Sequence, residues 1–329
     1  MRIIYNPCND PAYNLAMEEV MLCGGSTEDI AMLWRNAPAV IIGRNQNAVA
    51  EIDLDFVKRN NVSVIRRMTG GGAVFHDLGN INFTFIEKCD ETAFNNYDRF
   101  TLPVRDYLRS IGAECELSGR NDLTLDGMKI SGNAQTVKNG RILHHGTLLF
   151  DADLGWLSGA LRVRDIKVES RGIKSHRSRV TNIGAHLENR LSPVEFLDGM
   201  LGYFERHMPG AYRKDVTPEE DAAAKKLVAE KYGRWEWNFG ESPDFDMHNA
   251  VKYDFGVVEA SVSVSDGVIT ALRLSGDFFG RKDVAALEAA LTGVRHERKS
   301  VLQALARVDI NVNEYISGMT ADELAALIV

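Results

Sequence analysis

Hydrophobic and polar positions change period along the chain, and each change predicts an element. Asp10-Pro11 opens a helix, because Asp accepts from the free N–H groups of a first turn and Pro tolerates the first helical position. Leu15, Met17, Val20 and Met21 give that helix part of an apolar face, and Gly24-Gly25 ends it. Ala39-Val40-Ile41-Ile42 before Gly43 reads as a buried strand, and residues 62–65 as another. Residues 80–86 alternate strictly between polar and apolar, which predicts a half-buried strand. Phe100, Val104, Leu108 and Ile111 keep a helical spacing. Short strands are expected at residues 122–125, 129–131 and 148–150, with Asp126-Gly127 as a hairpin turn. Ser192 with Glu195, and Thr217 with Glu220, form capping boxes that start later helices.

The pattern changes style near Trp235-Glu236-Trp237-Asn238-Phe239-Gly240. Beyond it Val258, Ala260, Val262 and Val264 alternate with Glu259, Ser261 and Ser263, and Asp266-Gly267 turns the chain into a second run over residues 268–274. Helices are expected near residues 284–291 and 301–305, and after the capping box Thr320 to Glu323. This divides the chain into a large domain, residues 1–242, and a small α+β domain, residues 243–329.

At 329 residues the chain can bury about 75% of its unfolded surface, so it requires no disulfide or metal staple. Hydrophobic residues at 45% and charged residues at 26% argue against disorder and fibrous repeats. A formal charge of −8 argues against a bulk nucleic-acid binder. Cys8, Cys23, Cys89 and Cys115 stand far apart, which suggests neither a zinc site nor a disulfide framework. The N-terminus turns polar too early for a signal peptide, and no apolar run approaches the ~20 residues of a membrane span. A cytoplasmic protein is expected.

The densest chemistry lies in Arg66-Arg67-Met68-Thr69-Gly70-Gly71-Gly72-Ala73-Val74-Phe75-His76-Asp77. Consecutive glycines let backbone N–H groups approach a ligand and form an anion-holding concavity. The two arginines add charge that phosphate or carboxylate oxygens accept bidentately. A flexible basic surface loop is the plain alternative, and the strand-like residues on both sides weigh against it. Lys129 falls early on the strand after Asp126-Gly127, among small residues, with room to bring a point charge to a ligand or simply to face solvent. His144 and His145 are adjacent on a strand, so at most one faces a given pocket and a metal pair is disfavoured. His145 beside Gly146 is a ligand contact or a hydrogen-bonded structural histidine. Residues 162–179 carry seven basic side chains against Asp165 and Glu169, which suits phosphates, an acidic partner or plain solvation. P-loop, Rossmann and nucleophile-elbow signatures are missing.

In this order the residues resemble the lipoate–protein ligase A family, nearly end to end. The resemblance rests on Arg66-Arg67 with Gly70 to His76, on Asn82-Phe83-Thr84, on Arg120-Asn121-Asp122 and on Lys129 with Ser131-Gly132-Asn133-Ala134. His145-Gly146-Thr147, Arg179-Val180-Thr181-Asn182 and the tryptophan-rich junction followed by Pro243 extend it. Thr69 stands where many relatives carry Ser. The resemblance implies an α+β chain: a biotin/lipoate-ligase-like catalytic domain with a mixed β-sheet and flanking helices, followed by a small accessory domain. It implies that ATP and free lipoate give lipoyl-AMP, and that the lipoyl group then passes to a lysine of a lipoyl domain. Implied acceptors are acyltransferase subunits of 2-oxo acid dehydrogenases and the glycine cleavage H protein, with neither nucleic acid nor membrane as partner and a monomeric chain. Magnesium is implied alongside ATP.

By family correspondence, Arg67 and the backbone of Gly72, Ala73, Val74 and Phe75 would hold ATP and then the adenylate. Lys129 would lie between lipoyl carbonyl and phosphate as the catalytic residue of both steps. Asn121 and Asp122 would serve the nucleotide or its magnesium, while Trp34, His76 and His145 would wall the lipoyl tunnel or else pack the core. The rivals are an ATP-independent octanoyl or lipoyl transferase and a non-catalytic lipoate or lipoyl-domain binder. The transferase needs a cysteine thioester, and no cysteine falls inside a matched motif. A biotin ligase is disfavoured because the glycine loop lacks that family's interleaved arginines.

Overall fold

The computed structural model describes residues 1–118, 121–161, 180–240 and 245–329. Arg120, Arg179, Pro243, the basic stretch 162–179 and the expected boundary at 242/243 therefore lie outside the described residues. In chain order the strands are Arg2–Asn6 (β1), Ile30–Trp34 (β2), Ala39–Ile42 (β3), Ser63–Arg66 (β4), Val74–His76 (β5), Asn80–Lys88 (β6) and Cys115–Ser118 (β7). They continue as Asp122–Leu125 (β8), Met128–Lys138 (β9), Arg141–Leu149 (β10), Tyr212–Arg213 (β11), Met247–Tyr253 (β12), Gly256–Ser265 (β13) and Val268–Gly276 (β14). Among the described residues these form a mixed sheet of order β11-β1-β2-β6-β10-β9-β8-β7 and two three-stranded sheets, β4-β3-β5 and β12-β13-β14. No helix among the described residues is long and apolar enough to cross a membrane.

The large sheet is covered on both faces. Leu33, Phe83 and Phe85 pack against Phe100 and Val104 of helix Tyr97–Ser110 and against Phe196 and Phe204 of helix Pro193–His207. On the other face, Met32 and Trp34 meet Leu15 and Met17 of helix Pro11–Cys23. Each such side chain contributes roughly 1.5–3 kcal/mol on burial. The strict alternation of residues 80–86 is present, yet the strand is buried on both sides rather than half-buried. Asn80, Asn82 and Thr84 point away from the aromatic core but meet protein and a cleft instead of open water. β9 and β10 run well past the short strands expected, because Asn139-Gly140 (φ 53° and 71°) turns them into one long hairpin. The three capping boxes close as their sequences predict.

The C-terminal part has its own core of Val258, Val262, Leu274, Leu287, Val301 and Leu324. Its hairpin turns at Asp266-Gly267, as expected, and the unforeseen β12 adds an edge to it. The tryptophan-rich junction is no open linker. Helix Trp235–Asn238 is pinned to β4: Trp237 Nε1 donates to Arg66 O at 2.8 Å, and Asn238 Oδ1 accepts from Arg66 N–H at 2.9 Å. The Arg66 guanidinium donates to the carbonyls of Trp237, Asn238, Gly43, Arg44 and Gln46 at 2.7–3.0 Å. The expectation that both arginines offer charge to a ligand thus fails for Arg66, because successive strand residues face opposite ways.

Candidate active site

A cleft of about 130 Å³ opens between the large sheet and the β4-β3-β5 sheet. It brings together Trp34, Arg67, Gly72, Ala73, Val74, His76, Asn121, Lys129 and His145 from positions up to 111 residues apart. Phe75 is the exception on the loop. Its side chain points the other way, into a core cluster beside Trp156, so only its backbone shares the loop. Asp122 stands behind the wall, with Oδ1 2.8 Å from Lys129 Nζ. Asn121 is tied to β9 by reciprocal bonds: Nδ2 donates to Asn133 O at 2.7 Å, and Asn121 O accepts from Asn133 Nδ2 at 2.9 Å.

Lys129 follows the Asp126-Gly127 turn (φ 51° and 71°), as its sequence predicts. Gly132 leaves it room, since a Cβ there would lie 3.4 Å from Nζ. After the residues outside the described set, the chain returns to this point: Val180 bridges Lys129, and Thr181 N–H donates to Lys129 O at 3.1 Å.

Arg67 is buried, and among the described residues no carboxylate pairs with it directly. Nε donates to Thr69 Oγ1 at 2.9 Å, and the terminal nitrogens to the carbonyls of Ile41, Gly70 and Gly72 at 3.1, 2.8 and 2.7 Å. The guanidinium therefore shapes the glycine loop while its charge lacks a direct counter-ion. Burial pushes its pKa down to about 10, with Glu18 opposing the shift.

Glu18 reaches Arg67 through intermediaries. His145 Nδ1 lies 3.0 Å from both Glu18 oxygens, and its Nε2 lies 2.8 Å from Thr69 Oγ1. Thr84 Oγ1 donates to Glu18 at 2.5 Å and accepts from Trp34 Nε1 at 2.9 Å. One hydrogen-bonded chain thus runs from Trp34 to Arg67. His144 takes the opposite face, stacked 4.9 Å from Phe100, where burial holds its pKa well below the ordinary value. His76 is likewise buried, and its pKa falls to about 3.

Glu18, which stands behind the cleft wall, and Phe279, which lines it, lie outside the sequence expectations. Glu18 falls three residues after Leu15 and four before Leu22 on the buried helix stripe, so an acid at an apolar position was the available signal. Phe279 arrives from the C-terminal part and left no local signal. Its ring lies 2.9 Å from where a Gly71 Cβ would stand, and Gly71 has φ +90°, so this position requires glycine twice over. Gly71 N–H donates to Phe278 O at 3.2 Å, Gly276 N–H to Asn45 O at 2.9 Å, and Arg44 pairs with Asp283.

The described residues contain no group of three or more His, Cys, Asp or Glu suited to a metal ion. The four cysteines are unpaired and none lines the cleft. Burial pushes the Cys115 thiol up to about 11. An apolar slot edged by Arg67 and Lys129 suits one chemical task, bringing two anions into contact.

The lipoyl protein ligase A/B catalytic domain matches residues 10–205, and the bacterial lipoate protein ligase C-terminus matches residues 242–328. Lipoate-protein ligase LplJ of Bacillus subtilis is 41% identical over 323 residues, 97% of each chain. A bi-partite lipoate protein ligase from Thermoplasma acidophilum, analysed with its E2 lipoyl domain, is 30% identical with a TM-score of 0.64, covering 75% of this chain and 98% of that one. Lipoate-protein ligase A bound with ATP is 29% identical with a TM-score of 0.62, covering 73% and 98%.

Proposed function

The chain belongs to the lipoate–protein ligase family, and from that premise we propose how its cleft carries out the ATP-dependent joining of lipoate to protein. A lipoate carboxylate oxygen attacks the α-phosphorus of ATP, the α–β bridge breaks and pyrophosphate leaves with its electron pair. The amine of an acceptor lysine then attacks the carbonyl carbon of lipoyl-AMP, loses a proton and expels AMP.

Both steps build negative charge where charge already exists, so fixed cations lower the barrier. The observation that carries this reading is a buried Arg67, without a carboxylate partner among the described residues, sharing a cleft with Lys129. Arg67 holds the glycine loop, and with it the Gly72-Ala73-Val74-Phe75 backbone, in the shape that receives ATP and the adenylate. Lys129 bridges the lipoyl carbonyl and the phosphate, and Asp122 orients its ammonium until the ligand takes over. Asn121 fixes the wall beside the nucleotide, and Trp34, His76 and His145 line the acyl channel. Magnesium bound with the nucleotide would supply countercharge to the triphosphate, and Asp122, paired with Lys129 in this structure, is the carboxylate on the wall that would face it. We place the domain boundary at 242/243. The acceptors are lipoyl domains of 2-oxo acid dehydrogenase acyltransferase subunits and of the glycine cleavage H protein, met by a cytoplasmic monomer.

Lys129→Ala tests the reading. Lipoyl-AMP formation should fall at least about 10²-fold with the fold intact. Near-normal pyrophosphate release from that variant would remove Lys129 from the mechanism. Incubating the protein with free lipoate, with and without ATP, separates ligation from thioester transfer, against which the cysteine-free cleft already weighs.

A further inference from the structure

Beside the charged chain lies a second, neutral one. Asn6, Asn14, Asn36 and His76 are 3%, 0%, 0% and 3% exposed. Asn6 Nδ2 donates to Asn14 Oδ1 at 2.8 Å, Asn14 Nδ2 donates to Asn36 Oδ1 at 2.8 Å, and Asn36 Nδ2 lies 3.0 Å from His76 Nδ1. Its direction is set by backbone groups that have no choice of role. The Cys8 N–H can only donate, and it reaches Asn6 Oδ1 at 3.2 Å. The Cys8 and Arg35 carbonyls can only accept, and they take Asn14 Nδ2 at 2.8 and 3.0 Å.

Both anchors orient the amides the same way. Asn36 therefore turns its NH₂ to His76, and Nδ1 must accept. A neutral imidazole with an accepting Nδ1 carries its proton on Nε2. That Nε2 has no partner among the described residues, although the side chain is buried and lines the cleft. Asn82 Nδ2 is a second donor at the cleft without a partner among the described residues, its Oδ1 already accepting from Asn80 at 2.9 Å. Near His76 the wall is apolar: Trp34 stands edge-on at 6.2 Å, with Leu15 and Ile41 in the same cluster. An alkyl chain fits that wall better than a triphosphate, and a buried donor needs an acceptor, which a ligand entering the cleft brings.

We infer that His76 is a fixed neutral donor whose Nε2–H binds an acceptor atom of the acid substrate, and that Asn6, Asn14 and Asn36 are positioning residues that set its tautomer. The inference rests on the ligase reading only for the identity of that acid. The acceptor is either an oxygen of the acyl group or a sulfur of the dithiolane ring, and comparing lipoate with octanoate, which lacks the ring, distinguishes them.

Nitrogen-15 NMR of the histidine side chains in the full, ligand-free chain gives the first test. His76 should appear as the Nε2–H tautomer from about pH 5 to 8. An Nδ1–H tautomer or an imidazolium overturns the inference, whatever reaction the protein catalyses. Asn36→Asp replaces the donor with an acceptor and should move the proton to Nδ1. KM for lipoate should then rise about tenfold, as for a lost buried hydrogen bond, with KM for ATP unchanged. His76→Phe keeps a ring but no donor, and should give the same rise even if Asn36→Asp does not fold. An equal rise with octanoate assigns the contact to oxygen, and a rise with lipoate alone assigns it to sulfur. A folded His76→Phe protein with unchanged KM for both acids, or with only KM for ATP altered, overturns the inference.

Discussion

Arg66 ends β4 and Arg67 follows it; they point to opposite sides and are buried to nearly the same depth, 7% and 5% exposed. Burial is the largest cause that brings each down to about 10, and both donate to backbone carbonyls. What surrounds them differs. Arg66 meets five carbonyls that close the junction helix onto the sheet, and its next largest influences are repulsive, from Arg273 and Arg44. Arg67 meets the glycine loop, borders an open cleft and feels Glu18 through His145 and Thr69. Burial and residue type alone do not bring a cation to a cleft. An open side and a counter-charge held at a distance are what set Arg67 apart.

Exchanging the effects of the two positions would break this comparison. Arg67→Ala should reduce lipoyl-AMP formation by about 10²- to 10³-fold, read as pyrophosphate release, because the developing charge loses a preorganised donor. Its stability should fall less than that of Arg66→Ala, which strands more carbonyls and frees the junction. Arg66→Ala should cost about 2–4 kcal/mol in urea unfolding, with the folded protein keeping most of its rate of adenylate formation. A catalytic collapse at Arg66 with a silent Arg67 would reverse the assignment.

A smaller effect is expected across the junction. Phe279 covers Gly71 from the C-terminal part, so Phe279→Ala should open the cleft mouth without removing charge. KM for lipoate or ATP should rise about tenfold or less, in line with the loss of one aromatic wall, and the melting temperature should fall because the ring is buried. An unchanged KM for both substrates would confine the C-terminal part to a role outside the cleft.

The same contrast explains how much was legible in the sequence. The turn before Lys129 and the alternation at His144-His145 were readable as local rules, but those rules left Lys129 and His145 open between a ligand and a plain structural place, and the resemblance chose; both line the cleft, as does the glycine loop. Alternation also separates His144 from His145 and Phe75 from Val74 and His76. Alternation showed that Arg66 and Arg67 face opposite ways but not which of them faces the cleft, because the Trp237 and Asn238 that take up Arg66 lie 171 and 172 residues away and meet it only in the fold. Phe279 was invisible for the same reason. The half-buried reading of residues 80–86 failed because polar alternation reports a polar environment, which a substrate cleft supplies as well as solvent does.

The finest test of the comparison uses His76 as a probe of field. Burial is the main cause that lowers its pKa from 6.5 to about 3, with Arg67 next and His145 third; Arg66 is not among the causes. A folded-state value below the unfolded one means that the unfolded chain takes up a proton which the native protein refuses between those two values. Stability present above pH 6.5 is therefore lost as pH falls toward 3, by at most about 1.4 kcal/mol per pH unit from this group. Arg67→Gln removes one repelling charge, so the folded pKa should rise while burial keeps it below 6.5. The window then narrows from its acid end, and urea unfolding at acid pH should show a shallower decline than in the unsubstituted protein. Arg66→Gln should leave that decline unchanged even though it lowers stability at every pH. Equal flattening in both variants would mean that the two guanidinium groups reach the cleft alike, and the division drawn between them would not stand.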